Sequence, residues 1–459
     1  MGLWRWFPGP IVAAASMWVC AAMNLPDAAV GTAGLAALCA LWWVFEPLPM
    51  AVTALLPLAL LPLFGVLSAD QVGAAYGSPL ILLLLGGFML SQALAHSGAH
   101  RRLALAMLHV CGVHSQRRLV FGFMLASAVL SMWISNTATT LMLLPVAMAV
   151  LPAQGGSRMA PILVLGIAYA ASIGGLGTPI GTPPNLVFMQ VYAENVGRPP
   201  SFVQWMQWTL PVVVVLLPAA ALWLTRRLNG PLRAELPQVG AWQAAERRTL
   251  WVFALVALLW VSRSEPWGGW QQWLQLPQAH DAHVALLGVV LLSAIGDGRG
   301  GRLLPWSQAV AIPWGVLILF GGGIALAKAF AVSGLSEALG DALAMVGVWP
   351  LWSAVIVICL MLTFLTEVSS NTATAVLLLP VLALAAQSAQ IPPLWLMLPA
   401  ALSASCAFML PVATAPNAIV YGSGQVSATR MAREGLALNL MGALIITALT
   451  VFWIVPSTY

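Results

Sequence analysis

Apolar residues run in long stretches along the chain, near 8–24, 30–48, 50–67, 78–96, 119–152, 160–190, 205–228, 249–262, 282–296, 309–331, 349–387, 394–423 and 435–455. Most are of the order of 20 residues, the length of a helix that crosses the hydrocarbon core of a bilayer. The runs 119–152 and 349–387 are too long for one crossing, and each carries a polar Ser-Asn-Thr in its middle. That is the pattern of a helical hairpin that dips into the membrane and turns back. The runs 160–190 and 394–423 are broken by Thr, Pro and Asn, as in a discontinuous helix. The pattern predicts an all-α polytopic membrane protein with about eleven transmembrane helices and two re-entrant hairpins.

Composition agrees and excludes a soluble globule. Charged residues make up 7% of the 459 positions, against roughly 25% in an ordinary soluble domain. Hydrophobic residues make up 61%, and the mean hydropathy is +0.93. Cys20, Cys39, Cys111, Cys359 and Cys406 have no paired or metal-type spacing and read as small core residues.

With the N-terminus placed inside, the positive-inside rule sorts the basic residues sharply. Arg5, Arg101, Arg102, Arg117, Arg118, Arg158, Arg226, Arg227, Arg233, Arg247, Arg248, Arg299, Arg302, Arg430 and Arg433 fall inside, only Arg198 and Arg263 fall outside, and Lys328 lies within a span. This predicts a multi-pass protein of the cell inner membrane, with a cytoplasmic N-terminus and an external C-terminus. The net charge of +5 is thereby assigned to topology, not to nucleic acid. The same assignment makes the first hairpin open inward and the second outward.

Those opposed hairpins are copies. Ser135-Asn136-Thr137-Ala138-Thr139 recurs at Ser370-Asn371-Thr372-Ala373-Thr374, 235 positions on, and nine of the twelve residues from Ser135 and Ser370 are identical. Gly181-Thr182-Pro183-Pro184-Asn185 recurs as Ala413-Thr414-Ala415-Pro416-Asn417, with Ala415 in place of the first proline. Two like units of opposite orientation are an inverted-topology repeat. The expected division is scaffold helices at 1–77, a transport domain's first repeat at 78–195, scaffold helices at 196–308, its second repeat at 309–430, and a C-terminal helix at 431–459.

The polar breaks define the candidate chemistry. Hydroxyls, amides and free backbone groups at hairpin tips can bind ions; helix N-termini favour anions, whereas unwound carbonyls favour hard cations such as sodium. Ser131 precedes Ser135 by four residues and Thr366 precedes Ser370 by four, so each repeat offers two hydroxyls on one helical face. Helix capping alone would explain one such copy, but not two with matching Pro-Asn breaks. No Arg or Lys lies in these breaks, so a bound anion needs helix dipoles and cations to balance it. Coupling to sodium follows from that deficit. An intramembrane enzyme would need a nucleophile with a base, or clustered metal ligands; the sequence offers neither, and the chain is read as a transporter.

These motifs, with GGLGTPIGTPPNLVF at 174–188, LPVATAPNAIVYGSG at 410–424 and GGG at 321–323, resemble the divalent anion/sodium symporter family over nearly the whole chain. The resemblance implies sodium-coupled uptake of C4-dicarboxylates (succinate, malate, fumarate), with exchange, citrate or sulfate transport on the same fold as the alternative. It also implies a homodimer whose transport domains move as elevators. Substrate is expected at Ser135, Asn136, Thr137, Thr182, Pro183, Ser370, Asn371, Thr372 and Thr414. Two or more co-transported sodium ions are expected at Ser131, Ser135, Asn136 and Gly181, and at Thr366, Ser370, Asn371 and Ala413. Glu367 and Lys328 are the charges within the second repeat's apolar stretches. Glu367 is expected to meet protein polar groups, and Lys328 to reach toward the outer face.

Overall fold

The computed structural model describes residues 5–112, 114–151, 159–228, 230, 240–264, 268–335, 338 and 350–457. Arg158 and Arg233 of the inner basic set lie outside the described residues. Among those described the chain is all-helical. The first part comprises α1 (Pro8–Ala22), α2 (Asp27–Phe45), α3 (Met50–Thr53), α4 (Leu55–Leu63), α5 (Ala69–Tyr76), α6 (Pro79–Ser97) and α7 (Ala99–Cys111). The first hairpin is α8 (Gln116–Ser131) and α9 (Asn136–Val150), followed by a broken helix, α10 (Met159–Gly175) and α11 (Pro183–Val196). Next come α12 (Phe202–Thr225), α13 (Ala244–Val261), α14 (Gly269–Trp273), α15 (Asp281–Ala294), α16 (Trp306–Ala309) and α17 (Trp314–Val332). The second hairpin is α18 (Leu351–Leu365) and α19 (Asn371–Ser388), its broken helix α20 (Leu394–Ala404) and α21 (Ala415–Gly422), and the last long helix α22 (Ala428–Leu449).

Six helices among the described residues are long and apolar enough to span a membrane. The hairpin limbs α8, α9 and α18 have 16, 15 and 15 residues, or about 22–24 Å at 1.5 Å per residue, short of the roughly 30 Å of hydrocarbon. The fourth limb, α19, has 18 residues and is one of the six.

The arginines make the ion pairs and several of the loop contacts among the described residues. Arg102 pairs with Glu246 at 2.9 Å, Arg117 Nε donates to the Leu228 carbonyl at 2.7 Å, Arg248 to Gly296 at 2.5 Å, and Arg226 pairs with Glu434 at 2.9 Å. These bonds tie together segments distant in sequence, and Arg263 likewise pairs with Asp281 at 2.6 Å.

Helix α6 lies against α13, α15 and α16, and α17 lies against α3, α4 and α5. Helix α12 packs on α8, α10 and α22. Hydropathy fixes how long a helix is but not which neighbour it lies beside. The result is symmetric: α12 packs on the hairpin limb α8 and the broken-helix segment α10 of the first repeat, as α22 packs on α18 and α20 of the second. The halves also cross over, with α11 packed on α19 and α21 on α9.

Candidate functional site

Each hairpin tip is closed by a hydroxyl and an amide. Ser131 Oγ donates to Asn136 Oδ1 at 2.5 Å, and Thr366 Oγ1 donates to Asn371 Oδ1 at 2.6 Å. Ser131 and Thr366 are buried behind the tips, so each pair forms the floor beneath its turn. Thr366 has a second acceptor, the Ala404 carbonyl at 2.9 Å. Its proton can turn there and release both oxygens to a cation.

The broken helices are clasped by asparagines that the sequence reading did not select. Asn185 Nδ2 donates to the carbonyls of Gly175 at 2.9 Å and Thr178 at 2.8 Å; Asn417 Nδ2 donates to those of Ala407 at 3.1 Å and Leu410 at 3.0 Å. The separations of ten and seven residues are the same in both repeats. The signal was present, since both asparagines end the duplicated motif. Glycine makes room in the first copy: a Cβ on Gly181 would sit 2.4 Å from the Gly175 carbonyl oxygen. A Cβ on Gly175 would sit 2.8 Å from Asn136 Oδ1 and 3.2 Å from the Gly181 carbonyl oxygen. The Asn136 amide oxygen and the Gly181 carbonyl thus face a space that only glycine leaves open, and oxygen donors suit a hard cation.

These elements meet at a cavity of about 1080 Å³. Ser135, Asn136, Thr137, Gly181, Thr182, Pro183, Ser370, Asn371, Thr372, Ala413 and Thr414 all line it. Ser135, Thr182, Ser370 and Thr414 are the N-cap residues of α9, α11, α19 and α21, so four helix N-termini converge on one space. Their unpaired N–H groups and dipoles create a positive field without a cationic side chain in the breaks. Ser135 Oγ accepts from Ala138 N at 3.2 Å and Thr414 Oγ1 from Asn417 N at 3.2 Å. Ser370 and Thr182 make no such capping bond, which leaves their hydroxyls to the cavity they line.

The far wall comes from outside the repeats' polar breaks: Arg5, Phe45 and Glu46, Phe88, and Ala311 to Pro313 with Val316. The sequence reading had assigned Arg5 to topology alone. Lys328 is half-buried on α17, does not line the cavity, and lies within electrostatic reach of Glu194. Glu367 is buried and meets protein donors, as expected: Phe408 N at 2.7 Å, Met409 N at 2.8 Å, Leu410 N at 2.9 Å and Asn439 Nδ2 at 2.7 Å.

The comparisons agree with this architecture. A family model described as citrate transporter matches residues 40–398. A sodium-dependent dicarboxylate transporter, SdcS, from Staphylococcus saprophyticus is 38% identical, over 98% of this chain and 90% of its own length. SdcS of Staphylococcus aureus strain MRSA252 is also 38% identical with the same coverage. The chain belongs to the divalent anion/sodium symporter family. Among solved structures, the YdaH transporter of Alcanivorax borkumensis shares the fold with a TM-score of 0.57 at 16% identity, covering 84% of this symporter and 90% of that chain. The chain is a transporter, not an enzyme.

Proposed function

We propose that this protein couples inward sodium flux to uptake of C4-dicarboxylates such as succinate, malate and fumarate. The observation that carries the reading is the convergence of four helix N-termini, capped by Ser135, Thr182, Ser370 and Thr414, on one cavity. Two carboxylates require two positive ends, and the repeat provides them in pairs. Sodium sits behind the tips, with Ser131, Ser135, Asn136 and Gly181 in one repeat and Thr366, Ser370, Asn371 and Ala413 in the other. Those cations supply the charge that dipoles alone do not, so an empty carrier without sodium has low affinity for the dianion.

The moving unit in this reading comprises both hairpins, both broken helices, α12 and α22. The scaffold comprises α1–α6 and α13–α17, α7 links it to the first hairpin, and two such protomers form the dimer. Substrate lies on the boundary between moving unit and scaffold, where an elevator must carry it. The cavity wall holds Arg5, which supports placing its mouth on the arginine-rich, cytoplasmic side.

The description of the matching family model as citrate transporter favours a tricarboxylate as the second reading. Liposomes containing the purified protein separate the two. Labelled succinate should accumulate with an inward sodium gradient and fail to accumulate with choline. Uptake driven by internal succinate without sodium would establish exchange instead, and preferential competition by citrate over fumarate would establish the second reading.

A further inference from the structure

The two repeats agree at the hairpin tips and the asparagine clasps, and differ beside the second tip. In the first repeat the unwound stretch satisfies its own backbone. Leu176 N donates to Ile173 at 3.2 Å, Gly177 N to Gly174 at 2.9 Å, Gly181 N to Thr178 at 3.2 Å, and the Thr178 hydroxyl reaches across to the Met132 carbonyl. In the second repeat the corresponding stretch is Phe408, Met409 and Leu410, and all three N–H groups turn away from the chain's own carbonyls to Glu367. Position 132, the counterpart of Glu367, is methionine.

The Glu367 carboxylate is 3% exposed and accepts from four N–H donors, three on Oε1 and one on Oε2. No Lys, Arg or His among the described residues forms an ion pair with it. On the other side of the same stretch, Asn417 holds the carbonyls of Ala407 and Leu410. Phe408–Leu410 is therefore gripped by its N–H groups from one side and by its flanking carbonyls from the other. Helix α22 closes the arrangement: Asn439 donates to Glu367, and a Cβ on Gly435 would sit 2.1 Å from the Phe408 carbonyl oxygen, so only glycine allows this approach. Buried backbone N–H groups must be paired, and a buried carboxylate with no cationic partner is costly unless a positive charge arrives nearby.

We propose that Glu367 is the positioning residue for cation binding in the second repeat. Its carboxylate fixes the stretch that leads to Ala413, so that backbone oxygens there face Thr366 and Asn371. Its charge, matched by no cationic side chain among the described residues, makes that half of the site selective for a cation. The first repeat binds without such a residue, so the two sodium sites differ in kind although their tips match. This rests on the sodium-coupled reading above.

The test uses the full-length protein. Wild type is first titrated with sodium chloride against choline chloride, reading the melting temperature without substrate and then labelled succinate uptake. A wild type that ignores sodium in both assays would refute the transport reading itself. With a responsive wild type, Glu367→Gln should raise the half-saturating sodium concentration roughly tenfold in both assays, because an amide presents donors to donors. Saturating sodium should restore most of the uptake rate. Asn439→Ala, which removes one donor to Glu367 and a second acceptor of Phe408 N but leaves the charge, should shift the midpoint in the same direction by a smaller factor, and it decides the matter if Glu367→Gln does not fold. A melting temperature that falls while the sodium midpoint stays at the wild-type value would make Glu367 a structural cap and overturn the proposal.

Discussion

Thr366 donates its hydroxyl proton to the amide oxygen of Asn371 across 2.6 Å, five residues on and around the hairpin turn. Ser131 does the same to Asn136. A short bond between two potential ligands is a latch that a cation can open.

Replacing Asn136 or Asn371 by Ala should therefore weaken sodium and substrate together. A hydrogen bond to a charged group contributes roughly 1.5–3 kcal/mol, about ten- to a hundredfold in affinity. Sodium titrations at fixed succinate and succinate titrations at fixed sodium measure it. If both curves stay at wild-type positions, the tips are helix caps and the site lies elsewhere.

Gly175→Ala should act on sodium first. The added methyl would occupy the cradle 2.8 Å from Asn136 Oδ1, and the second repeat already carries alanine at the matching position, Ala407. We expect a several-fold rise in half-saturating sodium with little change in the succinate constant at saturating sodium. Equal shifts in both constants would place the cradle on the substrate side.

The elevator can be stopped by one bond. A Cβ on Gly323 of α17 would lie 3.6 Å from the Val376 Cβ of α19, inside the roughly 3.5–4.5 Å range of disulfides. After removal of the five native cysteines, Gly323→Cys with Val376→Cys should, on oxidation, abolish uptake while sodium-dependent succinate binding persists. Reduction should restore uptake. Full uptake by completely crosslinked protein would exclude relative sliding at this contact.

Asn185→Ala should destabilise without touching the ligand. Its amide bonds to Gly175 and Thr178 are buried, and leaving such carbonyls unpaired costs about 1–3 kcal/mol each. A lower melting temperature in detergent is expected, partly recovered by saturating sodium with succinate. An unchanged melting temperature would show that the broken helix does not need the clasp.

Much of this was legible in the sequence because the repeat duplicates its chemistry. Ser135 to Thr139 and Ser370 to Thr374 announce the tips, and the Pro-Asn motifs announce the breaks. What was not legible is lateral. The helix Phe202–Thr225 reads as a generic span, and only packing against α8 and α10 joins it to the first hairpin. The donors to Glu367 lie 41 to 72 residues downstream, a separation that no local pattern encodes. Arg5 reads as a topology signal until the fold brings it to the cavity wall.

The crossing of the halves, with α11 resting on α19 and α21 on α9, has a consequence for how the ions bind. Each anion-facing helix end is seated on the hairpin limb of the opposite repeat, so a cation that stiffens one tip also firms the seat of the other repeat's helix. Occupancy in one half lowers the ordering cost in the other, and by linkage the effect is mutual. Sodium activation should accordingly be sigmoidal, with a Hill coefficient above one, and a single ion should cross poorly on its own.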